Sequence, residues 1–135
     1  RAYRQARVND GGVAVTVVQP EIALRLKLGT SQTMAEQLRH LVELGTRPNV
    51  TIQIVPFSVG QYEALRMGGI SLMTHPWVPG LSVYFKRYEG AVLVEEAEEA
   101  ANFVAAFDHA TRVALSPSDS LAFISDVADQ WERTP

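Results

Sequence analysis

The sequence predicts an α/β or α+β domain in which a mixed sheet of about five strands is covered by helices. Five short runs rich in β-branched or alternating apolar residues are separated by Gly, Pro, Asn and Ser, as strands are. Longer segments with apolar residues at helical spacing lie before, between and after these runs. The resulting order is strand, two helices, strand, three strands and two helices, which favours helices packed on a sheet. A chain of 135 residues is expected to form one domain over residues 1–135.

The first residues predict the end of a helix. Residues 1–7 are followed by the turn sequence of residues 9–12, and neither a capping residue nor a signal-peptide pattern precedes them. We therefore expect a further segment before this one in the native protein. Residues 13–18 then predict a buried strand. Pro20 suits a first helical turn and predicts a short helix over residues 21–28.

A capping motif marks the next helix. Thr33 and Glu36 have the spacing of a capping box, in which each side chain satisfies a free backbone amide at the helix start. Residues 50–57 predict the following strand, because Val and Ile alternate with Thr and Gln and one face is therefore apolar. Pro56 is expected to end it, since proline cannot donate to a central ladder.

The second half predicts a loop, three neighbouring strands and two helices. Ser116 and Pro117 have the cap-then-proline pattern of a helix start, and Asp119 adds an acid to its first turn. The predicted loop covers residues 58–69, the strands cover 70–74, 81–85 and 91–94, and the first helix covers 95–115.

Charge is distributed unevenly along the chain. Residues 1–88 contain ten basic and five acidic residues, whereas residues 89–135 contain two basic and ten acidic residues. DNA affinity comes largely from Lys and Arg on phosphates, so a segment at 2 − 10 = −8 is a poor DNA ligand. We expect any DNA contact to be indirect. The acids also fit the solvated faces of two helices.

No constellation of catalytic or metal-binding residues is evident. The chain has no cysteine, which excludes disulfides and thiolate metal sites and fits a cytoplasmic location. Its histidines, His40, His75 and His109, lack a second ligand at helical spacing. No nucleophile elbow, phosphate loop or dinucleotide fingerprint occurs. We predict no enzyme activity, no metal and no cofactor; no apolar run approaches the ~20 residues of a membrane span.

Two loops are candidates for ligand or partner binding. The predicted loop of residues 58–69 is longer than a hairpin requires and contains Tyr62, Glu63 and Arg66, although it could also be a plain connection. Trp77 lies between two prolines, where it would be either an exposed contact anchor or a lid over the core.

Glu21 and Arg25 are a third candidate for ligand or partner binding. At positions i and i+4 they can form an ion pair on one helix face, worth about 0.2–0.5 kcal/mol when exposed. A structural ion pair is one interpretation of these residues, and a role in a pocket or a domain interface is the other.

Six short motifs occur in a characteristic order along the chain: Arg4-Gln5, VVQPEIALR at residues 17–25, QLRHL at 37–41, PNVTIQIVPF at 48–57, Val83-Tyr84, and ALSPSDS at 114–120. Together they resemble the C-terminal domain of actinobacterial Xre-type helix-turn-helix regulators of the Scr family. The match makes Tyr84 a further binding candidate. Where relatives often place His soon after the glycine of the long loop, this chain has Gln61-Tyr62.

The resemblance implies a regulatory, antitoxin-like domain that binds a partner or ligand and follows an N-terminal DNA-binding domain. Its expected partners are that domain and a small protein from a neighbouring gene. A homodimerisation module is one alternative. A hydrolase or phosphodiesterase with a site around Tyr62 and His75 is the other, and the element order is similar to phospholipase-D-like domains. The His-x-Lys pair of those enzymes does not occur here.

Overall fold

A computed structural model describes residues 1–135 and confirms the α+β class, with six α-helices, one short 3-10 helix and five strands. The helices α1 to α6 are Ala2–Asn9, Ile22–Arg25, Ser31–Gly45, Glu63–Met67, Ala97–Val113 and Pro117–Glu132. The strands β1 to β5 are Val15–Pro20, Val50–Val55, Ile70–His75, Val78–Arg87 and Gly90–Leu93, and the 3-10 helix is Phe57–Val59.

The five strands form two sheets rather than the single mixed sheet that was predicted. β1 and β2 form a parallel pair, and β3, β4 and β5 form an antiparallel meander. The chain divides accordingly into two compact units. The parallel-sheet unit comprises Arg1–Ser58 and Ala114–Pro135, and the antiparallel-sheet unit comprises Val59–Val113. Strand identity can be inferred from alternation, but alternation does not say which strands pair.

The core of the parallel-sheet unit lies between β2 and the helices α3 and α6. Val50, Ile52 and Ile54 alternate along β2 as predicted, and all three are buried in this core. Leu38 of α3 and Ile124 of α6 pack in the same cluster. The apolar face of β2 therefore holds both helices on the sheet.

The outer edge of β2 is bonded near its carboxyl end by the segment that precedes and begins α6. The Ile54 carbonyl accepts a hydrogen bond from the Leu115 backbone N–H at 2.9 Å. The Ile54 N–H donates to the Ser120 hydroxyl oxygen, also at 2.9 Å, and Ser120 is fully buried. The Ser120 hydroxyl in turn donates to the Leu115 carbonyl. One serine side chain thus takes the place of a neighbouring strand near the carboxyl end of β2.

Arg39 joins α3 to α6 on the surface. Its guanidinium forms ion pairs with Asp129 and Glu132 and donates to the Ser125 hydroxyl at 2.9 Å. The hydrogen bonds that Arg39 donates to Glu132 and Asp129 raise its pKa. The helices also approach closely at Gly45, where a Cβ atom would lie 2.4 Å from the Leu121 side chain.

Two of the predicted helix starts differ in the structure. The N-cap of α3 is Thr30, whose hydroxyl accepts from the Thr33 N–H at 3.0 Å, so the capping box at Thr33 was wrong. Pro20 ends β1 instead of opening a helix. The missing N–H of Pro20 removes no hydrogen bond between β1 and β2, because Pro20 does not face β2. The neighbouring N–H that faces β2 belongs to Glu21 and donates to the Val55 carbonyl. The predicted start of α6 is confirmed, with Ser116 capping the Asp119 N–H.

The antiparallel-sheet unit is built on the meander and α5. Val83 and Phe85 of β4 face α5, where the ring of Phe103 stacks on that of Phe85 at 5.5 Å between centroids. The three predicted strands are present: β3 is one residue longer than predicted, β4 has ten residues against the five predicted, and β5 begins and ends one residue earlier. The region predicted as a loop contains the short helix α4, which Tyr62 precedes as its N-cap.

None of the six helices combines the length and the apolar character that a membrane span requires.

Candidate functional site

Glu21 and Arg25 lie at the carboxyl edge of the parallel sheet. β1 and β2 are paired from Val15–Val50 to Pro20–Val55, so both strands end at the same edge. The chain leaves β1 through Glu21 into α2 and leaves β2 through Phe57. In open sheets with parallel strands, this edge is where binding sites commonly form.

The Glu21 carboxylate ties the two strand exits together. Its side chain is about one-tenth exposed. One carboxylate oxygen accepts from the Phe57 backbone N–H at 2.9 Å, and the other accepts from Arg25 Nε at 2.7 Å. The Glu21 backbone N–H continues the β1–β2 ladder by donating to Val55. Glu21 therefore fixes the start of α2 against the end of β2.

Arg25 extends this network to α6. Its Nη1 donates to the Gln130 side-chain oxygen at 2.8 Å, and its guanidinium lies 5.8 Å from the centre of the Phe123 ring. The Trp131 indole N–H donates to the Leu24 carbonyl at 2.8 Å, which anchors α2 to the same helix. The structural ion pair foreseen for Glu21 and Arg25 is thus present, and it holds α2 in place.

Four exposed apolar residues surround this anchored segment. Ile22 and Leu26 are 46% and 58% exposed, and Leu28 and Phe57 are 67% and 56% exposed. Ile22, Leu26 and Leu28 lie in the eight residues after β1, and Phe57 lies two residues after β2. We call Ile22, Leu26, Leu28 and Phe57 the carboxyl-edge surface. A surface of this kind, held on a rigid support, suits contact with another molecule.

Replacing Glu21 tests how much its carboxylate stabilises the fold. We expect Glu21→Ala to lower the free energy of unfolding by about 1–3 kcal/mol, because the Phe57 N–H and the Arg25 guanidinium lose their acceptor. Glu21→Gln keeps one acceptor oxygen and should lose less. Urea unfolding followed by circular dichroism measures both. Equal losses for Ala and Gln would contradict the role of the carboxylate oxygens.

The residues predicted in the long loop occupy the start of α4. Tyr62 is buried, and burial raises the pKa of its phenol, which keeps the hydroxyl neutral near pH 7. Glu63 and Arg66 form an exposed ion pair with each other at 3.3 Å. Their charges are thus already partnered within one short helix, and an exposed pair of this type contributes little to stability.

Trp77 and Tyr84 occupy different parts of the meander. Trp77, in the turn between β3 and β4, is 90% exposed and does not cover the core, so the lid interpretation was wrong. Tyr84, on β4, is half-buried and lines a shallow depression of about 300 Å³ together with Ser71, Lys86 and Ala91. His75, at the end of β3, is exposed.

Sequence reasoning identified Glu21 and Arg25 but missed the exposed apolar residues beside them. The predicted helix over residues 21–28 would place Ile22 and Leu28 on an apolar stripe, and such a stripe is normally buried. The structure ends α2 at Arg25, and Leu26 adopts an extended conformation, so the stripe is interrupted. Gly29 lies four residues after the end of α2 and gives no signal for an end at Arg25.

The fold and the site together define a small α+β protein with a rigidly supported apolar surface at the carboxyl edge of a two-stranded parallel sheet. The family model described as "Domain of unknown function (DUF5753)" matches residues 1–126, and the chain belongs to this family. Comparisons with curated proteins and with solved structures give no significant match. No group of three or more His, Asp or Glu side chains is placed to hold a metal ion.

Proposed function

We propose that this chain is a regulatory, partner-binding domain of a helix-turn-helix transcriptional regulator, and that the carboxyl-edge surface receives the partner. The observation that carries the proposal is the exposure of four large apolar side chains on the segments that the ion pair of the buried Glu21 with Arg25 supports. The regulator context rests on the sequence motifs that resemble Xre-type regulators. The expected partner is a small protein from a neighbouring gene.

The network beneath the surface supports a binding role. Interface energy is concentrated in a few well-supported apolar anchors, and anchors that are ordered in advance lose less entropy on binding. Leu26 and Leu28 follow a segment fixed by the Trp131–Leu24 and Arg25–Gln130 hydrogen bonds, and Phe57 is fixed through its N–H by Glu21. The surface is therefore ordered before a partner arrives.

The charge distribution supports an indirect role toward DNA. Most of the acidic residues of the last third lie in α5 and α6 or just before α5, and they would repel phosphates. In the proposed arrangement the preceding DNA-binding domain contacts DNA. This domain changes that contact when its partner binds.

The test uses the full-length regulator, its operator DNA and the protein encoded by the adjacent gene in gel-shift and calorimetric assays. We expect the adjacent-gene protein to bind the regulator and to change its DNA affinity. The double substitution Leu26→Asp with Leu28→Asp should weaken that protein–protein affinity at least tenfold, about 1.4 kcal/mol, and leave DNA affinity in its absence unchanged.

Tyr88→Asp is the matched control, because Tyr88 is fully exposed in the other unit and also exchanges an apolar group for an acid. It should retain wild-type affinity. The proposal fails if DNA affinity never responds to the adjacent-gene protein. The surface assignment fails if the double variant binds as tightly as the control.

A further inference from the structure

The outer edge of β1 presents unpaired backbone groups. The Val15 N–H donates to Asn49 and the Glu21 N–H donates to Val55, so the odd-numbered residues of β1 direct their N–H and C=O groups toward β2. The N–H and C=O groups of Thr16 and Val18 therefore point away from β2, and they have no hydrogen-bond partner. β2, in contrast, is bonded on its outer side at Ile54, by Leu115 and Ser120.

β1 also lacks the features that usually keep a free edge from pairing. Exposed edges are commonly protected by charge, by shortness or by a bulge. β3 has an irregular register between Thr74 and His75, and β5 has only four residues. β1 has six residues, four of them β-branched and none charged, and its proline stands at the last position. Among β1, β3 and β5, β1 is the one best suited to accept another strand.

We propose that β1 is the dimer interface of this protein: two copies pair antiparallel through their β1 edges about a two-fold axis at Val17. This inference is independent of the proposed partner surface, which lies on the segments that follow β1 and β2. It joins two two-stranded sheets into one sheet of four strands. A two-fold axis makes the contact self-limiting, because each edge is used once.

The register about Val17 follows from the pattern of donors and acceptors. It places Thr16 of each copy opposite Val18 of the other, and such a pair exchanges both of its N–H···O bonds. Pro20, which has no N–H, then faces Ala14, so only the bonds at the ends of the pairing are lost. Because the strand has no charge, identical copies meet without repulsion. The strand is complementary to itself, which favours a second copy over an unrelated segment.

Single cysteines test the register, because the chain has no cysteine of its own. In the proposed pairing Val17 faces Val17 of the other copy as a non-hydrogen-bonded pair, with Cα atoms about 4.5 Å apart. That separation falls within the range of about 4.4–6.8 Å for disulfides. Thr16 and its symmetry mate are diagonal neighbours at about 7–8 Å, outside that range. Under mild oxidation Val17→Cys should form a covalent dimer and Thr16→Cys should not.

Sedimentation velocity over a range of protein concentrations tests the interface itself. We expect the unmodified chain to reach the mass of two copies and Thr16→Pro to remain a single copy. The Thr16 N–H makes no bond within the chain, so Thr16→Pro removes a donor of the interface and none of the β1–β2 ladder.

Two double variants that introduce charges test the interface if the proline variant does not fold. Thr16→Lys with Val18→Glu places opposite charges across the axis and should retain the dimer, whereas Thr16→Lys with Val18→Lys opposes like charges and should abolish it. Circular dichroism confirms the fold of each variant. A wild-type chain that stays a single copy at every concentration overturns the proposal. The proposal is also overturned if Thr16→Cys forms the covalent dimer as fast as Val17→Cys does. Equal association of the two charge variants would overturn it as well.

Discussion

Ile124→Ala is expected to destabilise the protein by about 2–5 kcal/mol. Ile124 is fully buried in α6 and packs with Leu38 of α3 and Ile54 of β2, the three elements that form the core of the parallel-sheet unit. The substitution removes buried apolar surface and leaves a cavity. The cavity stays open because α3 and β2 are held apart by the rest of the core. Equilibrium unfolding in urea gives the change in the free energy of unfolding.

Leu26→Ala is the control for Ile124→Ala, since it shortens an apolar side chain that is 58% exposed. Its effect should remain within about 0.5 kcal/mol, as for most surface substitutions. A loss at Ile124 no larger than the loss at Leu26 would show that α6 does not pack on β2 as described.

Ser120→Ala is expected to cost about 1–3 kcal/mol, the penalty for a buried backbone donor left without a partner. The Ser120 hydroxyl accepts from the Ile54 N–H and donates to the Leu115 carbonyl, and Ser120 has no exposed surface. Amide hydrogen exchange gives a second, local measurement in addition to the free energy of unfolding. The Ile54 amide should exchange faster in the variant, because its only acceptor is removed.

Ser118→Ala is the matched control for Ser120→Ala, because Ser118 lies in the first turn of the same helix and is exposed. It should change neither the stability by more than about 0.5 kcal/mol nor the exchange of Ile54. If both serine variants behave alike, the effect belongs to the helix start and not to the edge of β2.

The elements of the fold were more predictable than their arrangement. The alternation of Val50, Ile52 and Ile54 and the cap at Ser116 are local signals, and both were confirmed. Pairing is not local, so one mixed sheet was predicted where the chain forms two sheets. Ser120 was missed for the same reason. A serine three residues after a proline looks like an ordinary helix residue until β2 lies beside it.

The candidate site was predicted in part. The i, i+4 spacing of Glu21 and Arg25 indicated an ion pair, which the structure contains. Glu21 also accepts from the Phe57 N–H, which is 36 residues away, and no pattern in the sequence indicates that contact. Glu63 and Arg66 were predicted as loop residues because α4 has only five residues, too few for helical periodicity to appear.

The hydrogen bond between Ile54 and Ser120 spans 66 residues of chain. A contact so distant in sequence forms late, because the intervening chain must first be closed into a loop. During synthesis, β2 and α3 leave the ribosome long before α6, and throughout that interval the edge of β2 has no cover. The nascent chain therefore passes through a stage in which β2 as well as β1 is an open strand. A ribosome stall before Ser116 would leave the apolar face of β2 without α6, a form suited to capture by chaperones.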